Sequence, residues 1–266
     1  LDALATLACD PRRSEFFTTE FLTALKLLEQ EELDPSSMRG SWAGAMGHTQ
    51  FMPSTWDRYA VDGDGDGRVD LWGSEADALA SGANFLSQLG WVRGLRWGRE
   101  VQLPEAFDYA LAGDDTRRPL GAWDELGIRQ ANGGPLPQAN VGAKLVVPAG
   151  AGGPAFLVYR NFDVIMGWNR SESYALSVGL LADRISGRPG LVQAPPNDEA
   201  LRVQDVQRLQ RALADRGFDP GPADGIWGPA TRRALTEFEA SMGRVADGYP
   251  DPDTLAVLLG SDTSGP

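Results

Sequence analysis

Residues 41–56 read SWAGAMGHTQFMPSTW, and a run of small residues sets this stretch apart from the helical patterns on either side. Small side chains let another group approach the backbone closely. Gln50 offers a hydrogen-bond donor and an acceptor, and Phe51 adds an apolar ring that can pack on a sugar face. The combination favours a sugar-binding groove. The alternative is a tightly packed turn in which Phe51 and Met52 belong to the core.

A helix is predicted upstream of this stretch. Asp10 and Pro11 are residue types that cap a helix and occupy its first position, and apolar residues then recur at helical spacing before Asp34. Arg12 and Arg13 would lie in the first turn, where the helix dipole disfavours positive charge. This misfit indicates a role beyond solubility, with ordinary solvent-exposed helix charges as the alternative.

Two further helices are predicted downstream. Ser74 and Asp77 have the spacing of a capping box, and the predicted buried face of that helix consists of Leu79, Ala83 and Leu86. Ser171 precedes another helix, whose predicted buried stripe consists of Tyr174, Val178, Leu181 and Ile185.

The remaining segments predict a small β subdomain, a linker and a second domain. Residues 143–148 and 155–162 are β-prone runs separated by a glycine-rich turn, which predicts a hairpin. Residues 186–196 are rich in proline and glycine, as linkers are. Two amphipathic patterns follow, and a module of three helices is the simplest interpretation of them.

Composition excludes several classes of protein. A formal net charge of −13 argues against nucleic acid as a partner, because binding to phosphates needs a basic face. No apolar run is long enough to predict a membrane span or a signal peptide. Cys9 is the single cysteine, so no internal disulfide can form, and we expect it to be buried in a helix.

Residues 62–70 read DGDGDGRVD, which is the opening of an EF-hand calcium loop. The predicted ligands are the carboxylates of Asp62, Asp64, Asp66 and Asp70 and the main-chain carbonyl of Arg68. Gly73 stands where such loops have a bidentate glutamate. The alternative is an acidic turn without metal, although closely spaced carboxylates repel one another unless something neutralises them.

These motifs together resemble the membrane-bound lytic transglycosylase B family. The resemblance covers ALATLACDPRR at 3–13, the stretch 41–56, residues 62–72 and RNFDVIMGWNRSESYALSVG at 160–179. Residues 208–239 resemble the peptidoglycan-binding domain 1 family. The resemblance implies a mainly α (α+β) fold. Its expected parts are a lysozyme-like domain with a small mixed β subdomain and an EF-hand-like loop at 62–77 (1–186), a linker (187–198) and a three-helix peptidoglycan-binding domain (199–266).

The resemblance also implies an activity, which is cleavage of the β-1,4 bond between MurNAc and GlcNAc with formation of 1,6-anhydro-MurNAc. One glutamate serves the family as acid and base, and its counterpart would precede Leu1. None of Glu15, Glu20, Glu29, Glu31 and Glu32 matches its motif. We therefore expect an N-terminally truncated, inactive piece of an enzyme, with a non-catalytic peptidoglycan-binding protein as the alternative. The expected setting is the periplasm or cell envelope, and the expected state is a monomer.

By the same resemblance, ten residues of this chain are expected to contact the glycan strand or its stem peptides. They are Arg12, Arg13, Ser41, Met46, Gln50, Phe51, Phe85, Trp168, Asn169 and Tyr174. Phe85 and Trp168 stand where the family commonly has tyrosine. Asp77 is expected to close the calcium loop, although a capping box explains it equally well. Tyr174 also fits the core stripe of its helix.

Overall fold

The structure is a computed structural model that describes residues 1–30, 33–112 and 116–260, so Glu31 and Glu32 lie outside the described residues. The chain divides into two compact units, Leu1–Val92 and Arg93–Pro266. Each unit is described by itself. The division at 186 and 198 that the sequence predicts is a finer one and stays a prediction. None of the described helices is both long and apolar enough to cross a bilayer.

The first unit is helical. Its helices are α1 (Asp2–Ala8), α2 (Ser14–Gln30), α3 (Pro53–Tyr59) and α4 (Glu75–Gln88). Helix α2 packs against α1 and α3, and α3 packs against α4. Leu4, Leu27, Trp56 and Leu71 are among the apolar side chains buried between them. The loops that join α2 to α3 and α3 to α4 carry the motifs singled out in the sequence.

Helix α2 begins later than the sequence predicts. One carboxylate oxygen of Asp10 accepts the Arg12 N–H at 3.0 Å, which closes a turn, and the helix starts at Ser14. Arg12 and Arg13 therefore precede the helix, and their predicted place in its first turn is wrong. Cys9 ends α1 with an exposed side chain, so the prediction of a buried cysteine is also wrong.

Helix α4 begins as predicted but buries a different face. The Ser74 side chain accepts the Asp77 N–H and caps the helix. Leu79 of the predicted face is 75% exposed, whereas Asp77, Ala78 and Ser81 are buried. The reason is polar: the Ser81 hydroxyl bonds the backbone of the preceding loop, and Asp77 also faces that loop. Hydrophobic periodicity does not show a face that is fixed by hydrogen bonds.

The second unit begins with a small antiparallel sheet of order β2-β4-β5-β1-β3. Its strands are β1 (Gly98–Gln102), β2 (Arg118–Pro119), β3 (Arg129–Gln130), β4 (Gly142–Val146) and β5 (Ala155–Val158). A short 3₁₀ helix (Tyr109–Leu111) and α5 (Leu120–Glu125) lie between the strands. Leu145 pairs with Leu157, so the hairpin predicted from the sequence is confirmed.

Two helices cover one face of this sheet. Helix α6 (Arg160–Trp168) starts inside the run predicted as strand, and α7 (Glu172–Ile185) starts after Ser171, which caps it as predicted. Trp97, Phe156, Phe162 and Leu176 form their shared core. The predicted stripe of α7 is only partly buried, because Leu181 and Ile185 are exposed.

The chain ends in three helices, α8 (Val203–Asp215), α9 (Pro229–Ser241) and α10 (Pro252–Leu259), as the sequence predicts. Leu209, Leu213, Ala234, Leu235, Phe238 and Leu258 form their core, and Trp227 packs against it. The buried Gln210 amide donates to the Thr231 hydroxyl and accepts the Gly225 N–H. This one side chain therefore fixes the glycine-rich turn that leads into α9.

The three helices are tied to the sheet within the second unit. The Arg232 guanidinium donates to the Val147 carbonyl at 3.0 Å, and the Ala151 N–H donates to the Asp247 carboxylate at 2.7 Å. In the predicted linker, the N–H groups of Val192 and Gln193 donate to the Glu100 carboxylate on β1. The middle of the predicted linker is therefore hydrogen-bonded to strand β1 of the sheet.

Helix α9 contains a buried carboxyl group that is only half satisfied. One oxygen of Glu239 accepts the Gly248 N–H at 2.8 Å, and the other has no partner among the described residues. Burial raises the pKa of Glu239 to about 8, with the charges of Asp247 and Asp251 adding to the shift against the Gly248 hydrogen bond. Glu239 is therefore mostly protonated at neutral pH.

Candidate functional site

The loop from Gly40 to Phe51 is closed by its own main chain. Met46 bridges to both Gly40 and Phe51, and the Met46 N–H donates to the Phe51 carbonyl at 2.8 Å. The Ser41 N–H donates to the Ala45 carbonyl at 2.8 Å, and the Ser41 hydroxyl accepts the Ala45 N–H at 3.1 Å. The loop is thus held in one conformation by bonds that need no ligand.

Packing explains why this loop consists of small residues. Gly44 has a φ of +88°, and a Cβ there would lie 2.1 Å from a Leu4 methyl carbon. Gly47 has a φ of +62°, and a Cβ there would lie 2.6 Å from the Leu71 carbonyl oxygen. Both glycines are needed for a left-handed backbone and for contacts inside the unit. The tight turn that the sequence offered as an alternative is therefore present.

A cleft of about 180 Å³ opens beside the loop. Its lining contains Ser41 and Met46 together with Leu1, Asp2, Ala3, Leu4, Met38, Gly40 and Gly44. Two of the residues predicted to bind sugar therefore share one concave site. A mostly apolar concavity with a few polar groups is the usual form of a small-molecule site.

Gln50 has an unusual backbone conformation. Its φ is +51°, and it is the one residue other than glycine with a positive φ in the part of the chain that the structure describes. Its side-chain amide donates to the Gly47 carbonyl at 2.9 Å, and the residue is exposed. Left-handed conformations of larger residues cost free energy and concentrate at functional sites. Gln50 thus presents its side-chain oxygen to solvent from a fixed backbone.

Phe51 and Phe85 lie in the core of the first unit. Both rings are buried, and their centroids are 5.4 Å apart in an edge-to-face contact. Tyr59 packs on the other side of Phe85, with centroids 4.7 Å apart. Phe51 therefore fixes the end of the loop from inside, and its predicted contact with sugar stays a prediction.

Glu20 supports the same loop, a role that no local pattern in the sequence predicts. It is buried on α2, where its two carboxylate oxygens accept the N–H and the hydroxyl of Ser54 at 2.9 and 2.6 Å. Ser54 is the second residue of α3, so Glu20 caps the helix that follows Phe51 and Met52. A helical carboxylate with no short sequence motif is ordinarily solvated, and only the fold identifies this one.

Arg12 and Arg13 are exposed beside α2. Arg12 forms an ion pair with Asp10 through three side-chain hydrogen bonds. The Arg13 guanidinium lies 4.5 Å from the centre of the Phe16 ring. Both side chains are exposed, and their role in binding stays a prediction.

The other predicted sugar contacts belong to the second unit. Trp168 ends α6, and the Asn169 side-chain oxygen accepts the Ser171 N–H at 3.1 Å. Tyr174 packs partly against the core beneath α6 and α7, and burial raises its pKa. Asn169 and Ser171 thus order the short connection from which Trp168 and Tyr174 extend.

The acidic loop gathers three carboxylates. Ligand oxygens of Asp62, Asp64 and Asp77 all lie within 4.8 Å of one another. Calcium binds oxygens at roughly 2.4 Å, which places ligands up to about 4.8 Å apart, so these three residues fit such an ion. The group does not include Asp66 or Asp70, whose carboxylates accept nearby main-chain N–H groups.

Asp77 is buried and stays ionised. Its two oxygens accept the N–H groups of Gly63 and Asp70, both at 2.7 Å. Burial works to raise the pKa of Asp77, but these hydrogen bonds, with others from Asp64 and Ser74, outweigh it and hold the pKa below its ordinary value. Only half of the predicted capping box forms: Ser74 accepts the Asp77 N–H, whereas the Ser74 N–H donates to the Asp70 carbonyl and the Asp77 carboxylate accepts N–H groups of the loop.

Comparison with known proteins shows which family the chain matches. Residues 1–183 match the transglycosylase SLT domain, and residues 202–258 match a peptidoglycan binding domain. The chain is 35% identical over 199 residues to membrane-bound lytic murein transglycosylase B of Escherichia coli, which covers 70% of this chain and 50% of that protein. It therefore spans about half the length of this curated relative.

Solved structures agree with this assignment. SltB3 from Pseudomonas aeruginosa, in complex with NAG-anhNAM-pentapeptide, has a TM-score of 0.91 and 50% identity, over 96% of this chain and 69% of that one. The Escherichia coli lytic transglycosylase SLT35, in complex with calcium, has a TM-score of 0.59 and 34% identity, over 70% of this chain and 58% of that one. The chain belongs to the transglycosylase SLT domain family and carries a C-terminal peptidoglycan-binding domain.

Proposed function

We propose that this chain provides the glycan-binding site of a peptidoglycan lytic transglycosylase. The reaction is cleavage of the MurNAc–GlcNAc β-1,4 bond with formation of 1,6-anhydro-MurNAc. The observation that carries the proposal is the cleft beside the Gly40–Phe51 loop, in which Ser41 and Met46 come together. A relative that binds NAG-anhNAM-pentapeptide supports the same substrate class.

In this proposal, side chains of each unit contribute to binding and orienting the glycan. Gln50 supplies a polar oxygen from a fixed backbone, while Arg12 and Arg13 pair with lactyl or peptide carboxylates of the strand. In the second unit, Trp168 and Tyr174 supply aromatic faces for sugar rings, and Asn169 supplies an amide. Each of these roles is an expectation from the family and not an observed contact.

A proton donor is also required, because the leaving oxygen of the glycosidic bond must be protonated. Glu20 is the buried glutamate among the described residues of the first unit, and Ser54 occupies both of its oxygens. It is therefore committed to holding α3. We infer that none of the described glutamates near the cleft serves as the acid.

Calcium is the proposed resident ion of the acidic loop. Asp62, Asp64 and Asp77 would hold it through carboxylate oxygens, with Asp66, Asp70 and the Arg68 carbonyl as further candidates after small movements. The calcium complex of a relative supports this choice of metal. The ion would neutralise the loop and fix it against α4, a structural contribution that leaves the cleft chemistry to other groups.

One experiment tests the binding role. A soluble tetrasaccharide of alternating GlcNAc and MurNAc is titrated into the 266-residue chain, and its dissociation constant is compared with that of Gln50→Ala. Loss of the amide leaves sugar polar groups unpaired, which costs about 1–3 kcal/mol, or roughly a 5- to 150-fold weaker affinity. Gln30→Ala, which removes an exposed amide elsewhere on the unit, is the matched control.

Intact sacculi test the remaining parts of the proposal. The chain should pellet with sacculi but release no anhydromuropeptides that mass spectrometry detects above a protein-free control. Release would show that a glutamate of this chain serves as the acid. A chain that binds neither the tetrasaccharide nor the sacculi would contradict the proposed function. The same inference places the protein in the cell envelope, where this substrate lies.

A further inference from the structure

Trp42 has the most exposed large apolar side chain among the described residues. It is 83% exposed, although a folded chain usually covers most of an indole. No described residue makes a hydrogen bond or ring contact with it. Single aliphatic side chains are often exposed and need no explanation. A largely exposed indole is less common and suggests that another molecule covers it.

The backbone beneath this indole is fixed. Trp42 follows Ser41 in the turn that three hydrogen bonds close, from the Ser41 N–H to Ala45 and from the Ala43 and Ala45 N–H groups to the Ser41 hydroxyl. Gly44 is locked against Leu4 on α1. The exposed ring therefore stands on a rigid turn, and little conformational freedom of the backbone is lost when a ligand covers it.

The same turn forms part of the cleft. Ser41 and Gly44, which flank the pair Trp42–Ala43, both line it. Trp42 is exposed and is the chain neighbour of the lining residue Ser41, so we place its indole at the rim of the concavity. A flat apolar ring at the rim of a sugar-sized cleft matches the C–H face of a pyranose, and the indole N–H can donate to a hydroxyl or N-acetyl oxygen.

We propose that Trp42 is an aromatic platform that stacks on a sugar ring of the glycan strand at the rim of the cleft. This proposal rests on the proposed function and adds a specificity residue that the sequence motif did not single out. The ring extends the binding surface beyond Ser41 and Met46. Truncation of a central aromatic contact commonly weakens binding by about tenfold or more.

The test is a titration of the same GlcNAc–MurNAc tetrasaccharide into Trp42→Ala and Trp42→Phe. The alanine variant should bind about tenfold more weakly, and the phenylalanine variant should recover most of the affinity because a flat ring remains. Leu79→Ala removes another exposed apolar side chain of the first unit and should bind like the wild type. Stacking should also change the tryptophan fluorescence of the wild type on saturation, and this change should be smaller in Trp42→Phe, where Trp168 is the remaining tryptophan proposed to contact sugar.

Each of four results would overturn the proposal. Unchanged affinity in Trp42→Ala, with a wild type that binds, would remove Trp42 from the site while leaving the proposed function intact. A fluorescence change of undiminished size in Trp42→Phe would assign the whole signal to others of the eight tryptophans. A shift from dimer to monomer in sedimentation of Trp42→Ala would show that the indole contacts a second copy instead. A wild type that binds no tetrasaccharide would contradict the proposed function itself.

Discussion

Two buried carboxyl groups, Asp77 in the first unit and Glu239 in the C-terminal helices, are equally removed from solvent but differ in charge. Asp77 receives N–H donors on both oxygens and has a lowered pKa. Glu239 has main-chain donors on one oxygen only, lies near the charges of Asp247 and Asp251, and has a pKa that burial raises to about 8. Low exposure alone does not decide ionisation, because desolvation, hydrogen-bond donors and neighbouring charges act together on the pKa.

The largest expected effect is at Glu239. Its folded pKa lies above its unfolded value, so the folded state binds more protons and the free energy of unfolding falls as pH rises from about 4.5 to about 8. Glu239→Gln should therefore slow hydrogen exchange of α9 amides at pH 8 by the equivalent of about 3 kcal/mol, and have little effect below pH 4.5.

Glu237→Gln is the matched control for this experiment, because it changes the same residue type on the exposed side of α9. It should leave the pH profile of hydrogen exchange unchanged. A Glu239→Gln profile that runs parallel to the wild type at all pH values would show that Glu239 does not titrate in this range.

Calcium should produce the next largest effect. An ion that binds only the folded state adds about 2.7 kcal/mol to the free energy of unfolding at a hundredfold excess over its dissociation constant. The thermal transition should rise between chelator and millimolar calcium, and Asp64→Asn should abolish the rise because Asp64 belongs to the carboxylate group. The control variant Glu29→Gln changes a carboxylate outside this group, so its thermal transition should still rise with calcium. Equal melting temperatures in chelator and in calcium would show that the loop is an acidic turn that binds no calcium.

Asp77→Asn should have the smallest effect, a loss of about 2 kcal/mol measured by thermal melting in chelator, because an amide cannot accept both N–H groups. Its pH dependence has the opposite sign to that of Glu239. The folded pKa is lowered, so the stabilisation by Asp77 is present above its unfolded pKa and is lost as pH falls through the folded value. A penalty that stays constant down to pH 2 would contradict an ionised Asp77.

Local signals in the sequence predicted several elements correctly. Ser74 and Ser171 cap their helices, and the β4–β5 hairpin and the three C-terminal helices are present. Each of these depends on residues close in sequence, such as a cap with its first turn or an apolar stripe with its own period.

Features that depend on distant partners were predicted poorly. The buried face of α4 is fixed by Ser81 and Asp77 through bonds to another segment, and Glu20 reaches Ser54 across 34 positions. Asp10 has the residue type of a helix cap, but its carboxylate closes a turn around Arg12 instead. In the candidate site, Ser41 and Met46 were predicted from the family motif, whereas the exposure of Trp42 depends on which side chains the fold leaves uncovered.

The bonds that join the C-terminal helices to the sheet also have a mechanical consequence. Arg232 is bonded to Val147, Asp247 to Ala151, and Glu100 to the segment between the two parts. A domain on a flexible linker would sample a range of positions that widens as the linker becomes longer. Here the hydrogen bonds couple the C-terminal helices to the sheet. A force applied to the helices is therefore transmitted directly to the sheet.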